Sequence, residues 1–384
     1  MTTARAIRDF IMPPRHFLGV LGAAARALRV WGPPARANPA ILFELGSGRV
    51  LAHQDAFKRW YPASLSKLMT AYVAFRAIAA GEVQPDSPIR MTRHAASEPP
   101  SKMGFKPGQV MRLDNALKMM LVKSANDIAM AIGENIGGSQ AGFAARMNAE
   151  AARLGMVGTH FVNPNGLFSP EQYTTARDMA VLVAVLRRDF PQYASYYAIE
   201  GLSLGDRKFP NYNLLVGRYP GADGMKTGFV CESGFNLIGS ATRGGRTLVA
   251  VVLGEKNAIS RTEAAARLLD EGFAAPAAGA TTLAALQPYG DTVSPTDMRE
   301  EICARKPAAQ QSEAVADADA KAPPSPYRQK LVAPKLVAVR LGDATGPVPP
   351  AMAAQAQYAD VPIPQWRPDM PPPGGSAGAA QGDQ

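Results

Sequence analysis

Two β-hairpin patterns stand at opposite ends of a helical stretch, and this arrangement constrains the fold more than any other feature of the sequence. The first hairpin pattern spans residues 41–52 and turns at Gly46-Ser-Gly48. The second spans residues 234–253 and turns at Arg243-Gly-Gly245. Short apolar runs on either side of a glycine-rich turn are typical of paired antiparallel strands.

Helical patterns fill the region between the hairpins and follow the second one. Start and stop signals predict helices at residues 64–80, from a Ser139 cap to Leu154, from a Thr175 cap to about Arg188, and at 262–271. We therefore expect one domain over residues 38–275, of α/β class in the broad sense (α+β). Its antiparallel sheet brings the N- and C-terminal strands together and packs against a helical block, although periodicity alone leaves the strand order open.

The N-terminal segment resembles a leader more than a part of this domain. Residues 1–37 combine several early arginines with the apolar run 17–25 and the sequence Ala35-Arg-Ala37. A positive start, a short apolar run and a small-x-small site are typical of a cleaved export signal. We predict a signal peptide over residues 1–37; an ordinary disordered N-terminus is the alternative.

The C-terminal third changes composition and is rich in proline and alanine. Residues 276–303 are expected to be a linker, and residues 304–384 a disordered tail, because such a segment buries too little apolar area to offset ordering entropy. Residues 330–342 favour either a short docking strand or a mildly apolar patch of linker. The last twenty residues have no apolar face, so membrane attachment is doubtful.

Charge and composition exclude several classes of protein. The formal net charge is +9, but the six arginines and one acid of residues 1–37 account for +5 of it. No basic stripe with interleaved aromatics follows, so nucleic-acid binding is not expected. The two cysteines and four histidines lie far apart, which argues against a metal site. No apolar run reaches the length of about 18 residues that a spanning helix needs.

Three short motifs carry the chemistry of the chain. Ser64-Leu-Ser-Lys67 opens the first predicted helix, Ser124-Ala-Asn126 follows it, and Lys226-Thr-Gly228 lies near the second hairpin. A serine hydroxyl needs a neighbouring base to become a nucleophile. Residues three apart share a helix face, so the amine of Lys67 can lie beside the Ser64 hydroxyl. Desolvation and a second cation, supplied by Lys226, favour the neutral amine that such a base requires.

The same motifs predict groups that stabilise charge and transfer protons. The helix N-terminus at Ser64 directs backbone N–H groups towards a developing oxyanion. We expect the N–H groups of Ser64 and Phe229 to be the oxyanion donors. Ser124 is a candidate to pass a proton to the leaving amine, and Asn126 to hold Lys67 and the substrate amide.

Each motif also has a purely structural interpretation. Ser64 is a good helix cap, Lys67 is an ordinary surface residue, and Asn126 is a good cap for a helix that starts at Asp127. Lys226-Thr-Gly228 is equally a strand that turns at its glycine. The order and context of all three motifs together favour a single catalytic site.

The three motifs, in their local sequence, resemble the low-molecular-weight penicillin-binding proteins, the serine-type D-alanyl-D-alanine carboxypeptidases. The similar segments are Pro62–Thr70, Ser124–Asp127, Asp223–Gly228, Phe161–Leu167 and Tyr173–Ala180. The resemblance covers about residues 38–275 and implies a β-lactamase/transpeptidase-like fold. It also implies an enzyme without metal or organic cofactor, exported to the periplasm or cell envelope, that removes the terminal D-alanine from peptidoglycan stem peptides. β-Lactams would be its inhibitors.

The resemblance assigns a role to each site residue. Ser64 would be the acyl-ester nucleophile, Lys67 its proton acceptor, and Ser124 with Asn126 the second catalytic element. The substrate-binding residues would be Lys226, Thr227, Gly228, Phe229 and Arg261. The cationic and hydroxyl groups of Lys226, Thr227 and Arg261 would bind the free C-terminus through charge-assisted hydrogen bonds.

The chain departs from the family pattern after residue 275. We expect no β-rich second domain and no amphipathic membrane helix there. Cys231 is expected to be a packed free thiol near the site, although pairing with Cys303 after export is the alternative.

Two other functions compete with the carboxypeptidase. A β-lactamase of the same superfamily needs a carboxylate base for deacylation, and residues 155–170 contain neither Asp nor Glu. A non-catalytic peptidoglycan-binding protein would have no use for the Ser64–Lys67 pair.

Overall fold

Strands from both ends of the predicted domain meet in one antiparallel sheet. The structure is a computed structural model that describes residues 38–275, 281–290, 292–304, 325–327, 329, 331 and 333–357. The described strands are β1 (Ala40–Glu44), β2 (Val50–Gln54), β3 (Pro88–Arg90), β4 (Val110–Arg112), β5 (Gly201–Leu204), β6 (Arg207–Pro210), β7 (Ala222–Val230), β8 (Gly234–Arg243), β9 (Arg246–Glu255) and β10 (Leu336–Ala338). The main sheet has the order β2-β1-β9-β8-β7. Both predicted hairpins and the β1–β9 neighbourhood are therefore confirmed.

Most helices form a block on one side of this sheet, and the long helix α8 covers the other side. The described helices are α1 (Ser66–Ala79), α2 (Arg93–Ser97), α3 (Leu113–Val122), α4 (Asn126–Gly137), α5 (Gln140–Arg153), α6 (Ala176–Asp189), α7 (Ala194–Tyr197), α8 (Ala258–Ala274), α9 (Arg299–Cys303) and α10 (Pro350–Gln357). The 3-10 turn Ala63–Leu65 leads into α1, and a second one, Pro191–Tyr193, leads into α7. Among the described helices, none combines the length and apolar composition needed to cross a bilayer.

Strand β9 explains why the sheet is buried on both faces. Its side chains alternate between two apolar clusters: Leu248, Ala250 and Val252 pack with α8, whereas Val249 and Val251 pack with the helical block. A strand covered on both sides reads as a nearly continuous apolar run. This packing makes the sheet a rigid base for the residues at its β7 edge.

Local signals in the sequence set the helix boundaries. The Ser139 hydroxyl accepts a hydrogen bond from the Gly142 N–H at 3.0 Å, and the Thr175 hydroxyl accepts one from Asp178 at 3.0 Å. Both residues therefore cap their helices as predicted, since each satisfies a backbone donor of the first turn.

The predictions of a linker over 276–303 and a disordered tail over 304–384 are wrong in part. Leu283, Met298 and Ile302 are buried in the main core. Strand β10 pairs in parallel with β5, and the Gly342 N–H donates to the Val110 carbonyl at 2.8 Å. The physical reason is that a few apolar side chains are enough to dock the segment that contains Leu283, Met298 and Ile302, and that the open edge of β5 is enough to dock β10. Residues 1–37, 305–324 and 358–384, to which the signal peptide and most of the tail were assigned, lie outside the described residues.

Cys231 is not a free thiol, contrary to our expectation. It forms a disulfide with Cys303, at a Cα–Cα distance of 5.7 Å. Helix α9 brings Cys303 to the turn after β7, where the Met298 N–H donates to the Glu232 carbonyl at 3.0 Å and Arg299 forms an ion pair with the Glu232 carboxylate. The docking of the segment before α9 therefore brings Cys231 and Cys303 together, which their separation in the sequence alone could not predict.

Candidate active site

Ser64 and Lys67 lie one turn apart at the head of α1. The 3-10 turn places Ser64 just before the helix, and the Lys67 Nζ lies 2.7 Å from the Ser64 Oγ. Ser64 caps nothing, since the helix begins after Leu65 with no side-chain cap. Lys67 is 0% exposed and not a surface residue. The structural interpretations of both residues are thus ruled out.

Two further partners of Lys67 suit an amine that accepts a proton. Its Nζ lies 2.8 Å from the Asn126 Oδ1 and 2.5 Å from the Asn165 carbonyl oxygen. A neutral amine has two N–H donors and one lone pair. The two asparagine oxygens can take the donors, which leaves the lone pair for the Ser64 hydroxyl. Burial away from water further disfavours a charged amine.

The second motif lies on the short connection between α3 and α4. Ser124 has a φ of 59°, a left-handed conformation that is rare for residues other than glycine. Asn126 starts α4 without capping it, and its amide nitrogen donates to the Pro99 carbonyl at 3.0 Å. That bond turns the amide oxygen of Asn126 towards Lys67.

Lys226 joins the third motif to the second. Its ammonium donates to the Ser124 Oγ at 2.8 Å and to the Thr227 carbonyl at 2.9 Å. Lys226 and Thr227 are both buried. The three motifs, distant in sequence, are therefore linked by hydrogen bonds from Lys67 to Asn126 and from Lys226 to Ser124.

The edge strand β7 passes close to the backbone of the nucleophile. A Cβ on Gly228 would lie 3.0 Å from the Ser64 nitrogen, so only glycine permits this approach. The Gly228 carbonyl accepts a hydrogen bond from Arg261. In a trans peptide the C=O and N–H groups point in opposite directions, so the Phe229 N–H points away from Arg261. Phe229 lines the same cavity as Ser64, which suits the predicted pair of oxyanion donors.

Arg261 lies behind β7 and does not line the cavity. It is 0% exposed, and its guanidinium donates to the carbonyls of Gly228, Asn236 and Tyr212 at 3.3 to 3.4 Å. These contacts orient the backbone of β7 and its neighbours. The structure therefore supports a positioning role for Arg261 rather than direct contact with a carboxylate.

The cluster opens into a cavity of about 560 Å³. Its lining residues come from the first two motifs, from the chain just after the third motif, and from neighbouring loops: Ser64, Pro99, Pro100, Ser101, Lys102, Lys123, Ser124, Asn126, Gly166, Leu167, Tyr212, Phe229, Val230 and Cys231. Gly166 is needed here because a Cβ would lie 1.9 Å from the Ala63 carbonyl oxygen. The nucleophile is thus accessible from outside, whereas its base is not.

Three site residues escaped the sequence analysis. Asn165, in a segment noted only for its family resemblance, supplies a carbonyl to Lys67. Asp127 is fully buried, and its carboxylate accepts hydrogen bonds from the backbone of Met103 and Gly104 at 3.1 and 2.8 Å. Burial raises the pKa of Asp127, against the effect of these bonds. Asp127 therefore anchors the loop that forms one wall of the cavity.

Glu98, the third such residue, is a buried carboxyl next to this wall. It is 7% exposed, and its Oε1 lies 3.7 Å from the Nε2 of His94. Burial raises the pKa of Glu98, while the neighbouring side chains of His94 and Asn165 act in the opposite direction. Glu98 does not line the cavity. In the sequence, Glu98 is a lone acidic residue before two prolines, and this pattern does not predict that it lies near the site.

Comparison with known proteins places the chain in a family. A sequence model of that family, described as D-alanyl-D-alanine carboxypeptidase, matches residues 27–257. The chain is 35% identical to D-alanyl-D-alanine carboxypeptidase DacC of Escherichia coli K12, over 67% of this chain and 66% of that protein. It is 34% identical to DacF of Bacillus subtilis, over 62% of each. The chain thus spans somewhat less than two thirds of these relatives.

Solved structures agree with the sequence relatives. The D-alanyl-D-alanine carboxypeptidase DacD from Francisella tularensis has a TM-score of 0.61 at 29% identity, and the match covers 70% of this chain and 74% of that one. Penicillin-binding protein D2 from Listeria monocytogenes, in its ampicillin-bound form, has a TM-score of 0.57 at 30% identity, over 63% of this chain and 100% of that one. These matches confirm the predicted fold class. The chain belongs to the D-alanyl-D-alanine carboxypeptidase family.

Proposed function

We propose that this chain is a serine-type D-Ala-D-Ala carboxypeptidase that removes the C-terminal D-alanine from peptidoglycan stem peptides and that also binds penicillin. The observation that carries the proposal is the 2.7 Å contact between the Lys67 Nζ and the Ser64 Oγ, in a cavity that also receives Ser124 and the β7 edge. A buried amine beside a solvent-accessible hydroxyl is the arrangement that Ser–Lys nucleophilic catalysis requires.

Acylation follows from this geometry. The Ser64 Oγ attacks the carbonyl carbon of the penultimate D-alanine while Lys67 takes the hydroxyl proton. The N–H groups of Ser64 and Phe229 stabilise the resulting oxyanion. When the C–N bond breaks, Ser124 donates its proton to the leaving D-alanine nitrogen and receives the proton that Lys67 took from Ser64. Lys67 is then neutral again, and Lys226 remains an ammonium that donates a hydrogen bond to the Ser124 Oγ. The product is an acyl ester on Ser64.

Deacylation repeats these steps with water as the nucleophile. A water attacks the ester carbonyl carbon, the neutral Lys67 amine accepts its proton, and the proton returns to the Ser64 oxygen as the ester bond breaks. The shortened peptide leaves with a new carboxyl end. No step requires a metal or an organic cofactor.

The substrate carboxylate is assigned to Lys226 and Thr227, which lie on the strand next to the nucleophile. Both stand on β7, where an extended peptide can add along the open sheet edge. Arg261 supports this binding indirectly, by holding the Gly228 carbonyl from behind. An exopeptidase needs such a charge-assisted site because it must recognise a free C-terminus.

A β-lactamase is the nearest competing function. Residues 155–170 contain no acid, and the segment presents the Asn165 carbonyl to Lys67 instead of a carboxylate. Glu98 is a carboxyl near the site, but it is buried and does not line the cavity where a water would be activated. We therefore expect a persistent acyl-enzyme with β-lactams.

A non-catalytic peptidoglycan-binding protein is the second alternative. The position of Lys67 argues against it, because simple binding has no use for a buried amine held against an accessible serine hydroxyl.

We further propose that the protein acts outside the cytoplasm, in the periplasm or cell envelope, with residues 1–37 as its export signal. The Cys231–Cys303 disulfide supports this location, since such bonds persist in oxidising compartments. The substrate is also found there.

Labelling with a fluorescent penicillin tests the catalytic proposal, together with the release of D-alanine from a D-Ala-D-Ala peptide. The wild type should label covalently and release D-alanine, and Ser64→Ala should do neither. Ser66→Ala, a change at the neighbouring buried serine, serves as the matched control and should retain labelling. Failure of the wild type to label would remove the basis of the proposal.

A further inference from the structure

The charged side chains that line the cavity are all basic. Lys102 and Lys123, which we call the rim lysines, stand among its lining residues, and none of the lining residues is acidic. The buried Lys226 adds a third cation through its contact with Ser124. An enclosed surface of one charge sign attracts ligands of the opposite sign.

The rim lysines are held by neutral groups rather than by carboxylates. The Lys123 ammonium donates to the Tyr212 hydroxyl and lies 4.8 Å from the centre of that ring. The Lys102 ammonium donates to the Ala96 carbonyl at 3.3 Å. Within the part of the chain that the structure describes, neither forms an ion pair. Both ammonium groups are thus held in place without a direct ion pair, although the charge of Lys102 also acts on the buried carboxyl of Asp127.

Both lysines are attached to the catalytic elements. Lys123 directly precedes Ser124 at the end of α3. Lys102 follows Ser101, whose carbonyl accepts the Asn126 N–H at 2.7 Å, and its loop is anchored by Asp127 through Gly104. A ligand carboxylate near the rim lysines is therefore held at a defined place relative to Ser64.

We propose that the rim lysines form a second anion subsite, which selects peptide donors carrying a free carboxylate before the terminal D-Ala-D-Ala. The inference rests on the proposed function, which already assigns the C-terminal carboxylate to Lys226 and Thr227. The rim lysines are then available to bind a different carboxylate, on the part of the peptide that precedes the D-Ala-D-Ala end and becomes attached to Ser64. The substrate class is an acidic stem peptide rather than one whose side chain is amidated or cationic.

Two peptides test this subsite: N-acetyl-α-aminopimelyl-D-Ala-D-Ala and its side-chain carboxamide. D-Alanine release by the full chain is measured for each. The wild type should prefer the acid by about 10-fold in kcat/KM, as expected for charge-assisted contacts in a partly enclosed site. The preference should shrink with added salt, because mobile ions screen the attraction.

The double variant Lys102→Gln/Lys123→Gln should bring the acid-to-amide ratio close to one. Lys106→Gln, an exposed change on the same loop, is the matched control and should keep the wild-type ratio. General damage to the fold would slow both peptides alike and leave the ratio unchanged. A wild-type ratio near one, or a high ratio retained by the double variant, overturns the subsite. Failure to release D-alanine from either peptide contradicts the proposed function instead.

Discussion

Replacing Arg261 with alanine should destabilise the protein more than it weakens the binding of substrate. The guanidinium is fully buried and donates to three main-chain carbonyls, on β7, on β8 and at Tyr212. Hydrogen bonds to a charged group contribute roughly 1.5–3 kcal/mol each, and the lengths of 3.3 to 3.4 Å place these at or below the lower end. At about 1 kcal/mol each, their loss lowers the free energy of unfolding by about 3 kcal/mol.

Urea unfolding followed by tryptophan fluorescence measures this loss. With a slope of about 3 kcal/mol per molar urea, a plausible value for a domain of this size, the midpoint falls by about 1 M. Arg261→Lys keeps the charge but not the planar fork, so it should recover only part of the stability. Arg267→Ala changes an exposed arginine of the same helix and should cost less than about 0.5 kcal/mol. An unchanged midpoint for Arg261→Ala, together with a raised KM for peptide, would refute this reasoning and return Arg261 to the carboxylate site.

Three further predictions concern separate parts of the site. Burial raises the pKa of Glu98 above its ordinary value of 4.5, so its stabilising contribution is present at low pH and is lost as the pH rises through the pKa of the folded protein. Glu98→Gln should therefore be more stable than the wild type at about pH 7 and lose that advantage below about pH 4. An equal difference in stability at both pH values would contradict this. Cys231→Ser/Cys303→Ser removes a crosslink between residues 72 apart and should lower the free energy of unfolding by about 2–4 kcal/mol, whereas an unchanged urea midpoint would mean that the segment before α9 docks without it. Lys226→Ala should lower kcat/KM for peptide by about 10- to 100-fold, and a change below about twofold removes Lys226 from substrate recognition.

Local relations in the sequence account for the parts of the site that were predicted. Ser64 and Lys67 are three residues apart where the 3-10 turn runs into α1, so their contact follows from the local helical geometry. Ser139 and Thr175 cap their helices through bonds to residues three positions later. The neighbouring strands β1 and β9 follow the prediction made from hairpin patterns at both ends of the domain with helices between them.

Long-range placement accounts for what was missed. The sequence shows that Arg261 is a cation but not which way its side chain points. In the structure, its guanidinium on α8 donates to backbone carbonyls of β7 and β8. The docking of β10 on β5 joins segments more than 130 residues apart, which no periodicity reveals. Glu98 is buried in the folded protein, and its burial depends on tertiary packing that the local sequence does not indicate.

The central claim is that the Lys67 amine activates the Ser64 hydroxyl, and mass spectrometry after brief exposure to benzylpenicillin tests it most directly. We expect one adduct, located on Ser64, which forms about 10²- to 10⁴-fold more slowly in Lys67→Ala, as the loss of a general base predicts. An adduct on another residue, or equal rates of formation in the two proteins, would contradict the account.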